Sequence, residues 1–192
     1  MSAYPPIYLL RHGQTLWNAQ GRMQGQLNSD LTDLGRVQAK RQGEILSRLH
    51  ISSETEVICS PLGRAVETAN LVLRGQVWPV RHDPRIMEVG VGDWEGRQRD
   101  DVVAENPEIF SGEISVYDRF LMAPNGESEA ELQARTADFL TGLSKPSIVI
   151  SHGITISVLR GHLMGLNRDQ IAALDHPQGR VIEIKDGVET IH

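Results

Sequence analysis

Ile7-Tyr8-Leu9-Leu10-Arg11-His12-Gly13 is an aliphatic run that stops abruptly on a cation, an imidazole and a glycine. The same grammar recurs twice. Val57-Ile58-Cys59 stops at Ser60-Pro61-Leu62-Gly63-Arg64, and Ile148-Val149-Ile150 stops at Ser151-His152-Gly153. Each run is short, rich in β-branched or aliphatic residues and bounded by turn residues, which predicts a strand buried on both faces. The segments between them carry helical signals. Leu31–Leu49 has an N-cap near Thr32 and places Leu34, Val37, Ile45, Leu46 and Leu49 at roughly helical spacing. Ser60 followed by Pro61 predicts an N-cap and a first-turn proline for a helix through about Leu73. Glu127–Leu143 and Ile154–Met164 complete the main helices, with weaker ones at Asp100–Asn106 and Ile114–Leu121 and further strands at Gln76–Arg81 and Arg180–Lys185. Alternating strands and helices predict an α/β fold, a three-layer α/β/α sandwich with a mostly parallel central sheet. Ligands of such sheets bind beyond the carboxyl ends of the strands. The polar residues that end the three runs are therefore expected to meet in one pocket.

The 192 residues suit one catalytic domain, 1–192, with no repeat or long linker. Forty per cent apolar and 23% charged residues are ordinary globular values. A net charge of −6, without a basic stripe, argues against a nucleic-acid partner. The longest apolar runs are far short of a membrane span, and Met1-Ser2-Ala3-Tyr4-Pro5-Pro6 has no basic or apolar leader pattern. Cys59 is the only cysteine, so no internal disulfide forms; it reads as a small core residue, and a cytoplasmic location is the expectation.

Further blocks follow the first in a fixed order. Gln14-Thr15-Leu16-Trp17-Asn18 leads to Gln24-Gly25, then to Asp30-Leu31-Thr32-Asp33-Leu34-Gly35. After Ser60-Pro61-Leu62-Gly63-Arg64-Ala65 come Glu88-Val89-Gly90-Val91-Gly92-Asp93-Trp94-Glu95-Gly96, Gly126-Glu127-Ser128 and Ser151-His152-Gly153. In these blocks, from about Ile7 to Gly161, the chain resembles the histidine phosphatase superfamily, the group of phosphoglycerate mutases and related phosphatases.

The resemblance implies a phosphoglycerate mutase-like fold and assigns roles. His12 matches the histidine that becomes phosphorylated, a competent nucleophile when neutral and held in line. Adjacent arginines favour that neutral form. Arg11 and Arg64 match the two arginines that clamp phosphate, for which a planar, permanently charged fork is suited. Asn18 matches a further donor, and Gln24 and Gly25 join the substrate-binding set. His152 matches the second histidine, and Gly153 after it opens a helix whose first N–H groups suit an anion. Glu88 matches the acid that protonates the leaving oxygen and then activates water. Glu95 is the competing carboxylate; Glu88 is preferred because it precedes the Gly-x-Gly-x-Trp-Glu-Gly block as the family acid does.

The expected reaction is hydrolysis of a small phosphorylated metabolite without metal or other cofactor. Only residues 89–125 separate Glu88 from Gly126, and nothing basic follows Lys185. The chain is therefore expected to depart from the family's cofactor-dependent mutases, which are longer, with an insertion after the Glu88-equivalent and a mobile C-terminal tail. Residues 99–125 are expected to form a small lid that sets specificity. A phosphoglycerate mutase-type transfer is the alternative, and an inactive phospho-ligand scaffold the alternative of another class. A homodimer is the reasonable prior. His176, in Asp175-His176-Pro177-Gln178-Gly179, is either a substrate contact or a plain turn residue. His50, His82 and His192 are expected to be solvated, His162 to be packing, and Trp17 and Trp94 to be core or pocket-wall aromatics. No histidine pair has helical metal-ligand spacing, so no metal site is expected.

Overall fold

The computed structural model describes residues 4–76, 78–111 and 114–192. Three strands carry the apolar runs: β1 (Ile7–Arg11), β2 (Glu56–Cys59) and β4 (Ser147–Ser151). With β3 (Val80–His82), β5 (Ile182–Lys185) and β6 (Val188–Ile191) they form one sheet in the order β3-β2-β4-β1-β5-β6. β3, β2, β4 and β1 run parallel, and β5 and β6 turn antiparallel at the far edge.

Side chains alternate along a strand, so each strand feeds both faces. Ile7 and Leu9 pack with Ile58 and Val149 against Phe139 and Leu140 of α7 (Glu129–Thr141) and Ile156 and Leu159 of α8 (Gly153–Met164). Tyr8 and Leu10 pack with Val57, Cys59, Ile148 and Ile150 against α2 (Asp33–Arg48) and α3 (Gly63–Val72), through Ala39, Leu46, Ala65 and Ala69. Helices thus cover both faces, giving the three layers. Burying each Leu or Ile stabilises the fold by roughly 1.5–3 kcal/mol.

The segment after Glu88 makes a third cluster. α4 (Arg99–Glu105) buries Val102, α6 (Val116–Leu121) buries Tyr117, and Phe110 of α5 (Pro107–Phe110) lies 5.7 Å from the buried Trp94. Ile154 and Val158 of α8 and Ile171 of α9 (Arg168–Ala172) complete it. The segment is therefore seated on the helix that starts at His152.

Several boundaries correct the sequence reading. The strand expected at 76–81 pairs only over Val80–His82; it starts after Pro79, which has no N–H for a ladder, and Val77 lies outside the described residues. The edge strand β6 was not expected. Its signal is the Asp186-Gly187 dipeptide, which takes positive φ at both residues and closes the β5–β6 hairpin. Ser60 is not an N-cap. Leu62 occupies that position and, having no polar side chain, makes no cap bond, while the Ser60 hydroxyl two residues earlier accepts the Leu62 N–H at 3.3 Å and also meets His152. The short α1 (Leu16–Ala19), α5 and α9 were too brief to show periodicity.

Candidate active site

The strand register assembles the site. Arg11 lies opposite Ser151, and Cys59 opposite Ile150. The ladders run on by one bond each, from the His12 N–H to the Ser151 carbonyl (3.0 Å) and from the Ser60 N–H to the Ile150 carbonyl (2.9 Å). His12, Ser60 and His152 therefore leave the sheet side by side. All three are buried, and the two imidazole centroids are 5.1 Å apart. His12 can reach this position because Gly13 lets the chain touch α2: a Cβ there would stand 2.2 Å from the Gly35 carbonyl oxygen.

Arg64, in the first turn of α3, ties the two rings together. Its Nε lies 3.2 Å from His12 Nε2 and 3.1 Å from His152 Nδ1. Nη1 donates to the Leu27 carbonyl and Nη2 to the Gly25 carbonyl, both at 2.7 Å. A guanidinium only donates, so both facing ring nitrogens must present lone pairs. The remaining nitrogens then carry the protons. His12 Nδ1 donates to the Gly13 carbonyl (2.8 Å), and His152 Nε2 to Ser60 Oγ (2.7 Å).

Electrostatics agree with these tautomers. Burial, then the cations of Arg64 and Arg11, hold His12 well below the ordinary imidazole value. His152 is likewise held well below it, by burial, Arg64, His12 and Arg11. Both rings are neutral at pH 7. Arg64 is itself pulled down to about 10 by burial, and Arg11 is lowered for the same reason, with Glu88 opposing in each case.

Glu88 joins this group from the other side. It is buried, and its carboxylate accepts from the Ile154 and Thr155 N–H groups (3.3 and 3.1 Å), the Val89 N–H (3.1 Å) and the Thr155 hydroxyl (3.2 Å). It thus caps the start of α8, where a carboxylate is favoured. Glu95 has a different task. Its Oε1 accepts from the Gln26 N–H at 2.9 Å and would collide at 2.3 Å with a Cβ on Gly25, which sits at φ +52°. It holds the loop that holds Arg64.

Arg11 donates from Nη1 to the His176 carbonyl (2.6 Å), and its Nε is buried without a partner among the described residues. Asn18 accepts the Thr15 N–H through Oδ1 in a capping box, leaving its Nδ2 without a partner among the described residues. In the amide orientation that satisfies both ends, Gln24 donates to Thr15 Oγ1 and accepts from Arg64 Nη1 and the Ser29 N–H. The structure thus bonds Arg64 to both His12 and His152, and places Arg11 and Glu88 in electrostatic reach of them, Glu88 on the N–H groups that follow Gly153. Gln24 and Gly25 support Arg64, and Asn18 is joined to it through Thr15 and Gln24.

Sequence reasoning missed Ser60, Thr155 and Gln178. Gln178 donates to the His12 carbonyl (3.1 Å), and the ring of His176 bonds Ser157 Oγ (2.9 Å) while its carbonyl holds Arg11. Ser60 was legible only as a cap, because Ser-Pro before a helix carries that signal. His192 is not merely solvated, since it pairs with Glu183 at 2.9 Å. His162 bonds Thr136 between α8 and α7, and His50 and His82 are exposed. Burial pushes the Cys59 thiol up to about 12, a value at which it is inert. Among the described residues no three His, Cys, Asp or Glu side chains group as a metal would need, and no helix is long and apolar enough to cross a membrane.

Chemically the arrangement suits an anion. It offers two cations, an unspent buried N–H on Arg11, and a neutral imidazole whose Nε2 lone pair faces Arg64.

A family model for the histidine phosphatase superfamily (branch 1) matches residues 7–190. The chain is 36% identical to "Probable phosphoglycerate mutase GpmB" of Erwinia tasmaniensis over 165 residues, 83% of this chain and 75% of the relative. It is 34% identical to glucosyl-3-phosphoglycerate phosphatase of Mycolicibacterium vanbaalenii over 176 residues, 85% and 76% of the two chains. The crystal structure of the alpha-ribazole phosphatase from Shigella flexneri superposes with a TM-score of 0.79 at 29% identity, over 97% of this chain and 94% of that one.

Proposed function

The chain belongs to branch 1 of the histidine phosphatase superfamily, and from that premise we propose that it hydrolyses small phosphate monoesters through a phosphohistidine on His12. The observation that carries this reading is the state of His12. Its Nδ1 is spent on the Gly13 carbonyl, its charge is suppressed, and its Nε2 lone pair faces the Arg64 guanidinium.

In this mechanism Arg11, Arg64 and Asn18 hold the equatorial oxygens of the phosphoryl group, and His152, anchored by Ser60, keeps the Arg64 guanidinium in place beside them. A phosphate dianion entering beside the Glu88 carboxylate favours its protonation. His12 Nε2 then forms a bond to phosphorus as the ester P–O bond breaks, and the leaving oxygen takes that proton from Glu88. Glu88 then takes a proton from water, whose oxygen attacks phosphorus as the P–N bond breaks. Phosphate leaves, His12 is neutral again and Glu88 is again protonated.

Hydrolysis is favoured over transfer between two hydroxyls of a sugar acid by the charge of the lid. Residues 99–125, proposed as the specificity segment of a single domain, contain only two basic residues, Arg99 and Arg119. Arg119 lies over the Phe110 ring, and Arg99 faces Asp100 at 3.8 Å. Neither offers the concentrated positive charge that a substrate carboxylate requires. The proposed setting is cytoplasmic, in keeping with one buried free cysteine. The esters named for the relatives form a natural substrate panel.

Turnover of p-nitrophenyl phosphate in excess chelator, beside His12→Ala, tests the reading. Wild-type activity that vanishes in the variant supports it, and turnover that survives in His12→Ala refutes it.

A further inference from the structure

Arg160 is, with Arg64, one of the two arginines among the largest fully buried side chains, yet the mechanism above does not use it. It lies two turns along α8 from His152. Its Nε and Nη2 donate to the two carboxylate oxygens of Glu189 on β6, at 2.7 and 2.8 Å. Its Nη1 donates to the Asp175 carbonyl at 2.7 Å. A buried guanidinium is costly unless its donors are used, and here they are used to tie β6 to one irregular segment of chain.

That segment, residues 174–181, contains no helix or strand, yet it crosses the site. Directly after Asp175, the ring of His176 bonds Ser157 Oγ on α8 and its carbonyl accepts from Arg11 Nη1 at 2.6 Å. Gln178 then bonds the His12 carbonyl. A Cβ on Gly153 would stand 3.5 Å from both Arg11 Nε and His176 Cγ, so the guanidinium of Arg11 is confined between the start of α8 and this segment.

We infer that Arg160 is a positioning residue for phosphate binding: by fixing Asp175 it places the His176 carbonyl, which orients Arg11 with its Nε free for a phosphoryl oxygen. The inference rests on the reading of Arg11 as a phosphate ligand. It also couples the edge hairpin, through Glu189, to the site.

The test compares wild type with Arg160→Met and Arg160→Lys. Inorganic phosphate affinity is read by calorimetry, KM and kcat on p-nitrophenyl phosphate, and folded fraction by circular dichroism. Misplacing one phosphate ligand should raise phosphate Kd and KM together by about tenfold in Arg160→Met, with kcat within about twofold and Arg160→Lys in between. A merely structural role would lower the melting temperature and the active fraction, hence kcat, while Kd and KM stayed at wild-type values. That result overturns the inference. Should Arg160→Met not fold, Ser157→Ala, which removes only the hydroxyl under His176, is expected to shift Kd and KM in the same direction, and unchanged values overturn the inference equally. A wild type that binds phosphate without turning over esters would sink the hydrolase reading, while the Kd comparison would still decide the role of Arg160. A folded wild type that binds no phosphate overturns both.

Discussion

Arg64 Nε stands 3.2 Å from His12 Nε2, so the nitrogen proposed to attack phosphorus is met at rest by a permanent N–H donor. The same N–H serves His152 Nδ1, and the guanidinium cannot drift, because Leu27 and Gly25 carbonyls hold its two ends. Arg64 thereby does three things at once: it selects the tautomer of both rings, keeps them uncharged and presents positive charge where phosphate oxygens would arrive.

A lysine at this position keeps the charge and loses the geometry. It cannot bridge two imidazoles while satisfying two carbonyls, so buried acceptors are left unpaired. Arg64→Lys is expected to lose about a hundred- to a thousandfold in kcat/KM, the scale of removing a preorganised donor, together with a lower melting temperature. Steady-state kinetics and thermal unfolding check this. A kcat/KM within tenfold of wild type would mean that charge alone suffices.

The suppressed imidazole protonation has a consequence for stability. His12 and His152 are lowered in the folded chain by burial first and Arg64 second, and His176 and His162 are lowered by burial too. In the unfolded chain these groups titrate near the ordinary value of about 6.5. Below that pH the unfolded state binds protons that the folded state refuses. The stabilisation is therefore full above about pH 6.5 and is lost as the pH falls toward the folded values, by up to about 1.4 kcal/mol per pH unit per group. Urea midpoints measured from pH 7.5 to 5 should fall, and His12→Asn should flatten the slope. Equal slopes in the two proteins would show that His12 titrates alike folded and unfolded.

The two carboxylates separate by what they hold. Glu88 sits among α8 N–H groups beside the histidines, whereas Glu95 braces the 25–26 turn. Glu88→Gln removes the proton donor and should lower kcat on an alkyl phosphate by roughly a hundredfold or more. The loss should be smaller on p-nitrophenyl phosphate, whose leaving group needs no proton. Glu95→Ala should instead lower the melting temperature, with the same modest activity loss on both esters. A Glu88→Gln variant fully active on the alkyl ester would end the assignment.

Much of this site was legible in the chain because parallel strands make it so. Three apolar runs, each followed at once by its polar residue, determine that Arg11, His12, Ser60 and His152 share one end of the sheet, whatever the helices do in detail. Other parts depend on distant partners and leave no local mark. Gln178 and Arg160 act through backbone carbonyls of other segments of the chain, and the different tasks of Glu88 and Glu95 appear only once the start of α8 meets one and the 25–26 turn meets the other. Ser60 was misread for a related reason: its dipeptide with Pro61 is a genuine helix-start pattern, outweighed here by the demand of a buried imidazole for a partner.

That demand gives the last expectation. His152 is fully buried, its Nδ1 is occupied by Arg64, and its Nε2–H donates to Ser60 Oγ at 2.7 Å. Ser60→Ala leaves this N–H without an acceptor in the dry interior, which costs about 1–3 kcal/mol. The ring can escape the cost only by rotating, and rotation takes Nδ1 away from Arg64, releasing the donor that also faces His12. Ser60→Ala should therefore lower both the melting temperature and kcat, the latter by about tenfold if roughly 1.4 kcal/mol of the loss reaches the transition state. Ser60→Thr keeps the hydroxyl and should recover most of kcat. Thermal unfolding and steady-state turnover of the three proteins decide the matter: if Ser60→Ala matches wild type in kcat while melting lower, Ser60 supports the fold alone and has no part in orienting His152.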